Sequence, residues 1–164
     1  MNKIVIMVAL ALFITATAIS ASAQGTTPAK PADKPAYDAD LAKKLGADER
    51  GMKLYVFVIL KRGLKKIDDA KIRQDLINGH MTNIGRLADE GKLVLAGPFE
   101  GKQDMRGIYI FDVPTIDEAK LLVDTDPAVK GGLFDVEYYQ WYVSAAINEL
   151  PQIHKRLQKP KAAQ

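Results

Sequence analysis

The 164-residue chain has no cysteine, only two histidines and a single tryptophan. Without cysteine there is no disulfide, no thiolate metal site, no thiol nucleophile and no lipidated-cysteine anchor. With His80 and His154 as the only imidazoles, a closed zinc site has too few ligands, so neither a metal nor another cofactor is expected. A haem would need an axial histidine such as His80, and nothing else in the chain points to one. An excess of charge of one sign is also missing. The net charge is +3, and without Lys3 the chain has 22 Lys and Arg against 20 Asp and Glu. Much of the surplus lies in the tail, at Lys155, Arg156, Lys159 and Lys161. A nucleic-acid surface shows a clustered basic face, so no nucleic-acid partner is expected.

Long apolar runs are absent too, with one exception. Asn2-Lys3 gives a short positive start, Ile4 to Ile19 is almost wholly apolar, and Ala21-Ser22-Ala23 follows with small residues at the positions an export peptidase reads. This pattern predicts a signal peptide over 1–23, cut after Ala23, and a periplasmic or secreted product. The run is shorter than the roughly 20 residues of a spanning helix, so no stable membrane insertion is expected after cleavage. An exported domain without disulfides must rest on its hydrophobic core.

Residues 24–51 have the composition of a flexible linker, with Pro28, Pro31 and Pro35 among Thr, Ala, Lys and Asp. Asp38 to Lys44 has the spacing for a turn or two of helix around Leu41 and Leu45, but the composition is that of a tether. The domain is expected over 52–143. Met52 to Leu60 is apolar at nearly every position, the pattern of a strand covered on both faces. Leu54, Val56, Val58 and Leu60 share one face, with Tyr55, Phe57 and Ile59 on the other.

A helical stretch runs from about Asp68 to Glu90, with an apolar stripe through Ile72, Leu76, Ile77, Met81, Ile84, Leu87 and Ala88. Glycine costs about 1 kcal/mol against alanine inside a helix. Asn78-Gly79 therefore leaves two readings, one helix or two with the second opening at His80. Leu93 to Ala96 is a short strand stopped by Gly97-Pro98, and Gly107 to Val113 is the next. Thr115-Ile116-Asp117-Glu118 is a capping box that opens a second helix, and Asp126-Pro127 breaks it. Asp135 to Val143 is the last strand. Residues 144–164 form a basic tail, helical from Ser144 to Gln158 with an interruption at Pro151.

The order strand–helix–strand, strand–helix–strand is that of an α+β, ferredoxin-like split βαβ (βαββαβ) domain with an antiparallel sheet and both helices on one face. Nothing in this order covers the second face, where Tyr55, Phe57, Ile59, Tyr109 and Phe111 are placed wholly or in part. A large exposed apolar face signals a partner, and the simplest is a second copy, so a homodimer is expected.

Two polar residues stand out in these surroundings: His80, in Asn-Gly-His-Met, and Asp126, in Thr-Asp-Pro-Ala-Val. An unperturbed imidazole titrates near pH 6.5, so it takes and gives protons around neutrality. A carboxylate beside it fixes its tautomer and raises its basicity. Only the fold can join residues so far apart in the chain. By composition alone, His80 is equally a partly exposed cap and Asp126 a turn former before proline. Gly97-Pro98 is mainly a turn that also lets backbone approach a ligand. Arg106 is either a solvated strand end or a fork for an anionic substrate.

The core resembles the YCII-related domain, a family within the dimeric α+β barrel group. The matching pieces are His80 at a helix, Leu87…Gly91-Lys92-Leu93…Ala96-Gly97-Pro98-Phe99, the capped helix with Glu118-Ala119, Asp126-Pro127…Gly131-Gly132 and the aromatic strand ending in Trp141. The resemblance implies a ferredoxin-like protomer, a dimer, and a pocket centred on His80 and Asp126. The family's general role is poorly defined, with a dehalogenating enzyme among its relatives.

Two function classes remain open. In one, His80 and Asp126 are catalytic in an acid–base lyase, isomerase or hydrolase, with Arg106, Gly97 and Pro98 holding a small molecule. In the other, the same pocket belongs to a non-catalytic binding or dimerisation module.

Overall fold

The computed structural model describes residues 36–101 and 104–159. The expected signal peptide and the first part of the expected linker lie outside the described residues. The elements are α1 (Ala39–Leu45), β1 (Met52–Arg62), α2 (Ala70–Asp89), β2 (Leu93–Pro98), β3 (Met105–Phe111), α3 (Ile116–Val123), α4 (Pro127–Lys130), β4 (Phe134–Ser144), a 3₁₀ turn (Ala145–Glu149) and α5 (Leu150–Leu157). The strands lie in the order β2-β3-β1-β4, and every neighbouring pair is antiparallel. This is the α+β, ferredoxin-like split βαβ arrangement. Among the described residues no helix is long and apolar enough to cross a membrane.

Strand β1 sits at the centre of the sheet and is apolar on both faces for that reason. Val56, Val58 and Leu60 point to the helices and meet Leu87, Val113, Ala119 and Val123 in the main core. Their partners across the sheet are Phe111, Tyr109 and Gly107. Tyr109 and Phe111 therefore lie on the helix side and not on the second face. Every residue from Ile108 to Phe111 is apolar or aromatic, so alternation divides them into two sets without saying which set meets the helices.

The second sheet face is covered at one end, contrary to expectation. Tyr55, Val94 and Ile110 are buried there against Val143 and Ile147. The 3₁₀ turn is fastened by the Tyr55 hydroxyl donating to Ala145 O (3.3 Å) and Asn148 Nδ2 donating to Asp112 Oδ2 (2.9 Å). Helix α1 packs against this turn and forms a Lys44–Glu149 ion pair at 2.9 Å. Asp38 caps α1 by accepting from Leu41 N, and Gly46 ends it in the left-handed region at φ 70°. The tether composition thus hides one capped helix that gains a buried leucine, Leu45. Pro151 does not interrupt the tail helix. It stands in the first turn of α5, where a missing N–H costs nothing.

Helix α2 is continuous over 20 residues, so His80 lies in its interior and does not open a second helix. Its deepest residues are His80, Asn83 and Leu87, while Ile72 and Met81 of the expected stripe are exposed. Gly79 is tolerated because of what it touches. A Cβ there would meet Pro127 Cγ at 2.8 Å and Cβ at 3.1 Å, the ring that opens α4. Alanine would favour the helix by about 1 kcal/mol, but forcing a methyl into a closed contact costs about 1–3 kcal/mol. Gly79→Ala is therefore expected to lower stability in denaturant unfolding; a stabilised variant would refute the packing argument.

Candidate active site

Close approach of α2 to α4 brings the two ends of the site together. Asp126 is the N-cap of α4, with Pro127 at its first position, and its Oδ1 accepts from Ala128 N at 2.9 Å. The other carboxylate oxygen, Oδ2, lies 2.7 Å from His80 Nδ1. It also accepts from the Tyr109 hydroxyl at 2.8 Å, and that hydroxyl is 3.1 Å from Nδ1. Asp126 is fully buried and His80 nearly so. The Asp-Pro turn signal thus has a more specific outcome: α3 ends at Val123 with Asp124 as its C-cap, and Asp126 opens α4 and reaches the imidazole.

Electrostatics set the protonation of this trio. Burial acts to raise the Asp126 carboxyl. Against it stand the hydrogen bond and charge of His80, the Tyr109 hydroxyl and the Ala128 N–H, which together hold it below its ordinary 3.8. Burial first, then the Asp126 charge and hydrogen bond, push the Tyr109 hydroxyl well up, so it stays a donor. An ionised Asp126 accepts only, and Tyr109 already gives it one proton. The remaining contact at Oδ2 requires the His80 proton on Nδ1. Nε2 is then the unprotonated nitrogen of the neutral ring, and among the described residues it has no hydrogen-bond partner.

A cavity of about 340 Å³ opens beside the imidazole. It is lined by His80 and by Ile77, Met81 and Ile84 from α2, by Leu60 and Phe134, and by Ala96, Gly97, Pro98, Arg106, Gly107, Ile108 and Tyr109. His80 and Tyr109 line the cavity, whereas Asp126, which holds both of them, lies behind the wall. The Phe134 ring braces the imidazole at a centroid distance of 5.0 Å. Among the described residues no carboxylate lines the cavity. Half-buried Arg106 has no acidic partner among the described residues.

All five residues singled out in the sequence thus touch one place: His80 and Asp126 as a bonded pair, and Arg106, Gly97 and Pro98 in the cavity wall. Gly97 and Pro98 are the paired end of β2, opposite Ile108 and Gly107, and not a free turn. Gly107 must be small because a Cβ there would meet Gly97 O at 2.8 Å. Tyr109 escaped notice because its immediate neighbours, Ile108 to Phe111, are all apolar or aromatic and gave no reason to turn its hydroxyl toward the histidine. Among the described residues no three of His, Asp and Glu cluster as metal ligands.

With this geometry in place, the comparison with known families is informative. A family model described as the YCII-related domain matches residues 54–142. The chain belongs to the YCII-related domain family. The match runs from β1 to β4 and leaves out α1, the 3₁₀ turn and α5, so the elements capping the second face lie outside the YCII-related domain. One solved structure similar to this YCII-related chain is 5-chloro-2-hydroxyhydroquinone dehydrochlorinase (TftG) from Burkholderia phenoliruptrix AC1100, in complex with 2,5-dihydroxybenzoquinone. It is 26% identical, and the alignment covers 52% of this chain and 92% of that one with a TM-score of 0.41. Among curated proteins, none matches.

Proposed function

We propose that this YCII-related protein is an acid–base enzyme of lyase, isomerase or hydrolase type acting on a small anionic molecule. The observation that supports this most is the setting of one imidazole: its Nδ1 is tied to a buried carboxylate at 2.7 Å, its ring lines a mostly apolar cavity, and Nε2 has no hydrogen-bond partner among the described residues. In this reading Nε2 takes a proton from a substrate C–H or O–H, or from a water attacking it. Asp126 stabilises the imidazolium that forms. The proton then returns to another substrate atom in an isomerisation, or to the departing group in an elimination or hydrolysis. Arg106 is the anion-binding residue, and the backbone at Gly97-Pro98 lets the ligand lie close to β2.

The substrate class follows from the wall. Apolar side chains dominate, and among the described residues the one guanidinium has no acidic partner and no carboxylate competes for it. Small carboxylates and phenolates are the probes of choice in a binding and turnover screen. A hydrogen bond to a charged group contributes about 1.5–3 kcal/mol, so Arg106→Gln is expected to weaken a bound anion about 10- to 100-fold. Equal binding by both proteins removes Arg106 from the site. Tight binding with no turnover of any probe favours the binding-module reading.

We also propose that the protein is a homodimer paired through the uncovered half of the second sheet face. That half carries Phe57 and Ile59 with exposed Leu95, Tyr139 and Trp141, and Phe57 packs edge-on against Trp141 at 5.6 Å. Light scattering at micromolar concentration is expected to give twice the chain mass, and a monomer sinks this part. On the residues of 1–23 alone, we propose export and cleavage after Ala23 to the periplasm or beyond. N-terminal sequencing of the native protein is expected to begin at Gln24.

A further inference from the structure

Asn83 lies one turn beyond His80 on the buried face of α2, with Leu87 a turn further. Leucine fills core. Asparagine at the adjacent buried position does something else. Its Oδ1 accepts from Thr125 Oγ1 at 2.9 Å and from Arg86 Nη2 at 2.8 Å. The same Nη2 is 2.8 Å from Thr125 Oγ1, and Arg86 Nη1 is held by Glu90 Oε1 at 2.7 Å. The Thr125 hydroxyl is also 2.6 Å from Leu122 O at the end of α3. Thr125 immediately precedes Asp126. Helix α2 therefore grips this turn at two successive levels, His80 on Asp126 and Asn83 with Arg86 on Thr125.

The Asn83 amide nitrogen is buried and has no hydrogen-bond partner among the described residues. Turning the amide over does not help, because Arg86 only donates and requires the oxygen. A buried unpaired donor destabilises a fold, whereas an apolar residue of similar shape would not. A polar residue kept at such a site needs a reason, and its neighbour supplies one. The cap to Ala128 ties the Asp126 carboxylate to α4, and Tyr109 ties it to β3. Neither ties the backbone of the turn to α2, the helix that carries the imidazole. Misplacement of about 1 Å at a reacting group can cost 10²-fold in rate, so this joint bears on the chemistry.

We propose that Asn83, acting through Thr125 and braced by Arg86, is a positioning residue. It sets Asp126 against His80 so that the imidazole proton stays on Nδ1 and Nε2 stays unprotonated. This rests on the reading of His80 as the acid–base group and extends it to the element that aligns the pair. A purely structural Asn83 would tie α2 to the end of α3 and leave the imidazole unchanged.

The two outcomes separate by nitrogen NMR of the full chain labelled at histidine, read at mildly alkaline pH. Only His80 and His154 contribute, and His154→Gln assigns them. The unsubstituted chain is expected to show one His80 tautomer, with a slowly exchanging proton on Nδ1. In Asn83→Leu and Thr125→Val that single-tautomer signature is expected to be lost, with averaged nitrogen shifts and a fast-exchanging proton. Thr125→Ser keeps the hydroxyl and is expected to restore the original pattern. If folded Asn83→Leu and Thr125→Val both retain the original tautomer and slow exchange, the proposal is overturned. If Asn83→Leu does not fold, Thr125→Val and Thr125→Ser decide by the same criterion. The readout needs no substrate, so its failure is distinct from failure of the enzyme reading, which turns on whether His80→Gln abolishes turnover.

Discussion

Replacing His80 by glutamine is expected to lower turnover by about 10²–10⁴-fold, the usual contribution of a positioned general acid–base group. Glutamine is uncharged, nearly as long as histidine, and has an amide N–H to offer Asp126 in place of Nδ1–H. It has no basic nitrogen for the position of Nε2. The loss should fall on kcat, because the apolar wall and Arg106 that hold the substrate are untouched. Thermal unfolding should shift only modestly, since Asp126 keeps the Tyr109 and Ala128 donors. Steady-state kinetics on the first substrate found by the screen, with circular dichroism as a folding control, checks both halves. Activity within about tenfold of the original protein would falsify the acid–base role of His80.

The fold was largely legible because its signals are local and redundant. The doubly apolar β1, the Thr115 cap and the Asp126-Pro127 stop each follow from residue chemistry over a few positions. The Thr115 hydroxyl does accept from Glu118 N, at 3.2 Å. The Glu118 carboxylate takes the Thr115 hydroxyl and not its backbone N–H, a detail of side-chain geometry that a motif does not carry. Facing was harder to read. An apolar strand such as Ile108 to Phe111 tells nothing of which side meets a helix, so Tyr109 was assigned to the wrong face and missed as a partner of the site.

Gly79 misled for a related reason. Helix propensity counts its cost, but Pro127, far away in sequence, supplies the compensation. The same contact places His80 over Asp126, so the apparent break in α2 is what permits the pair. Asn83 left a weaker trace. The spacing of three and then four residues from His80 to Asn83 to Leu87 was readable, and two polar residues on the face of a buried leucine were a warning. Taking Met81 as part of the inward stripe hid it. The covering of the second face depends on Ile147 of the 3₁₀ turn packing on Tyr55, Val94 and Ile110, with α1 against that turn, and no local pattern announces it.

Asp126→Asn is expected to destabilise the fold by about 1.5–3 kcal/mol at neutral pH, the range for a hydrogen bond to a charged group. Asparagine keeps one acceptor where the carboxylate uses both oxygens, for Ala128 N on one side and for His80 and Tyr109 on the other. Its amide group would then point a donor at one of these donors. Such a loss is a large fraction of the 5–15 kcal/mol typical of a whole domain. It also has a characteristic pH dependence. Folded Asp126 titrates below 3.8, its ordinary value, because the three donors and the charge of His80 together outweigh burial. A depressed carboxyl stabilises the fold fully above the unfolded value and loses that contribution as pH falls through the folded one. The difference between the two proteins should therefore shrink as pH falls below about 4. Urea unfolding of both proteins across this range measures it. A difference that persists undiminished well below pH 4, or that is absent at pH 7, would show that the carboxylate charge is not what these partners hold in place.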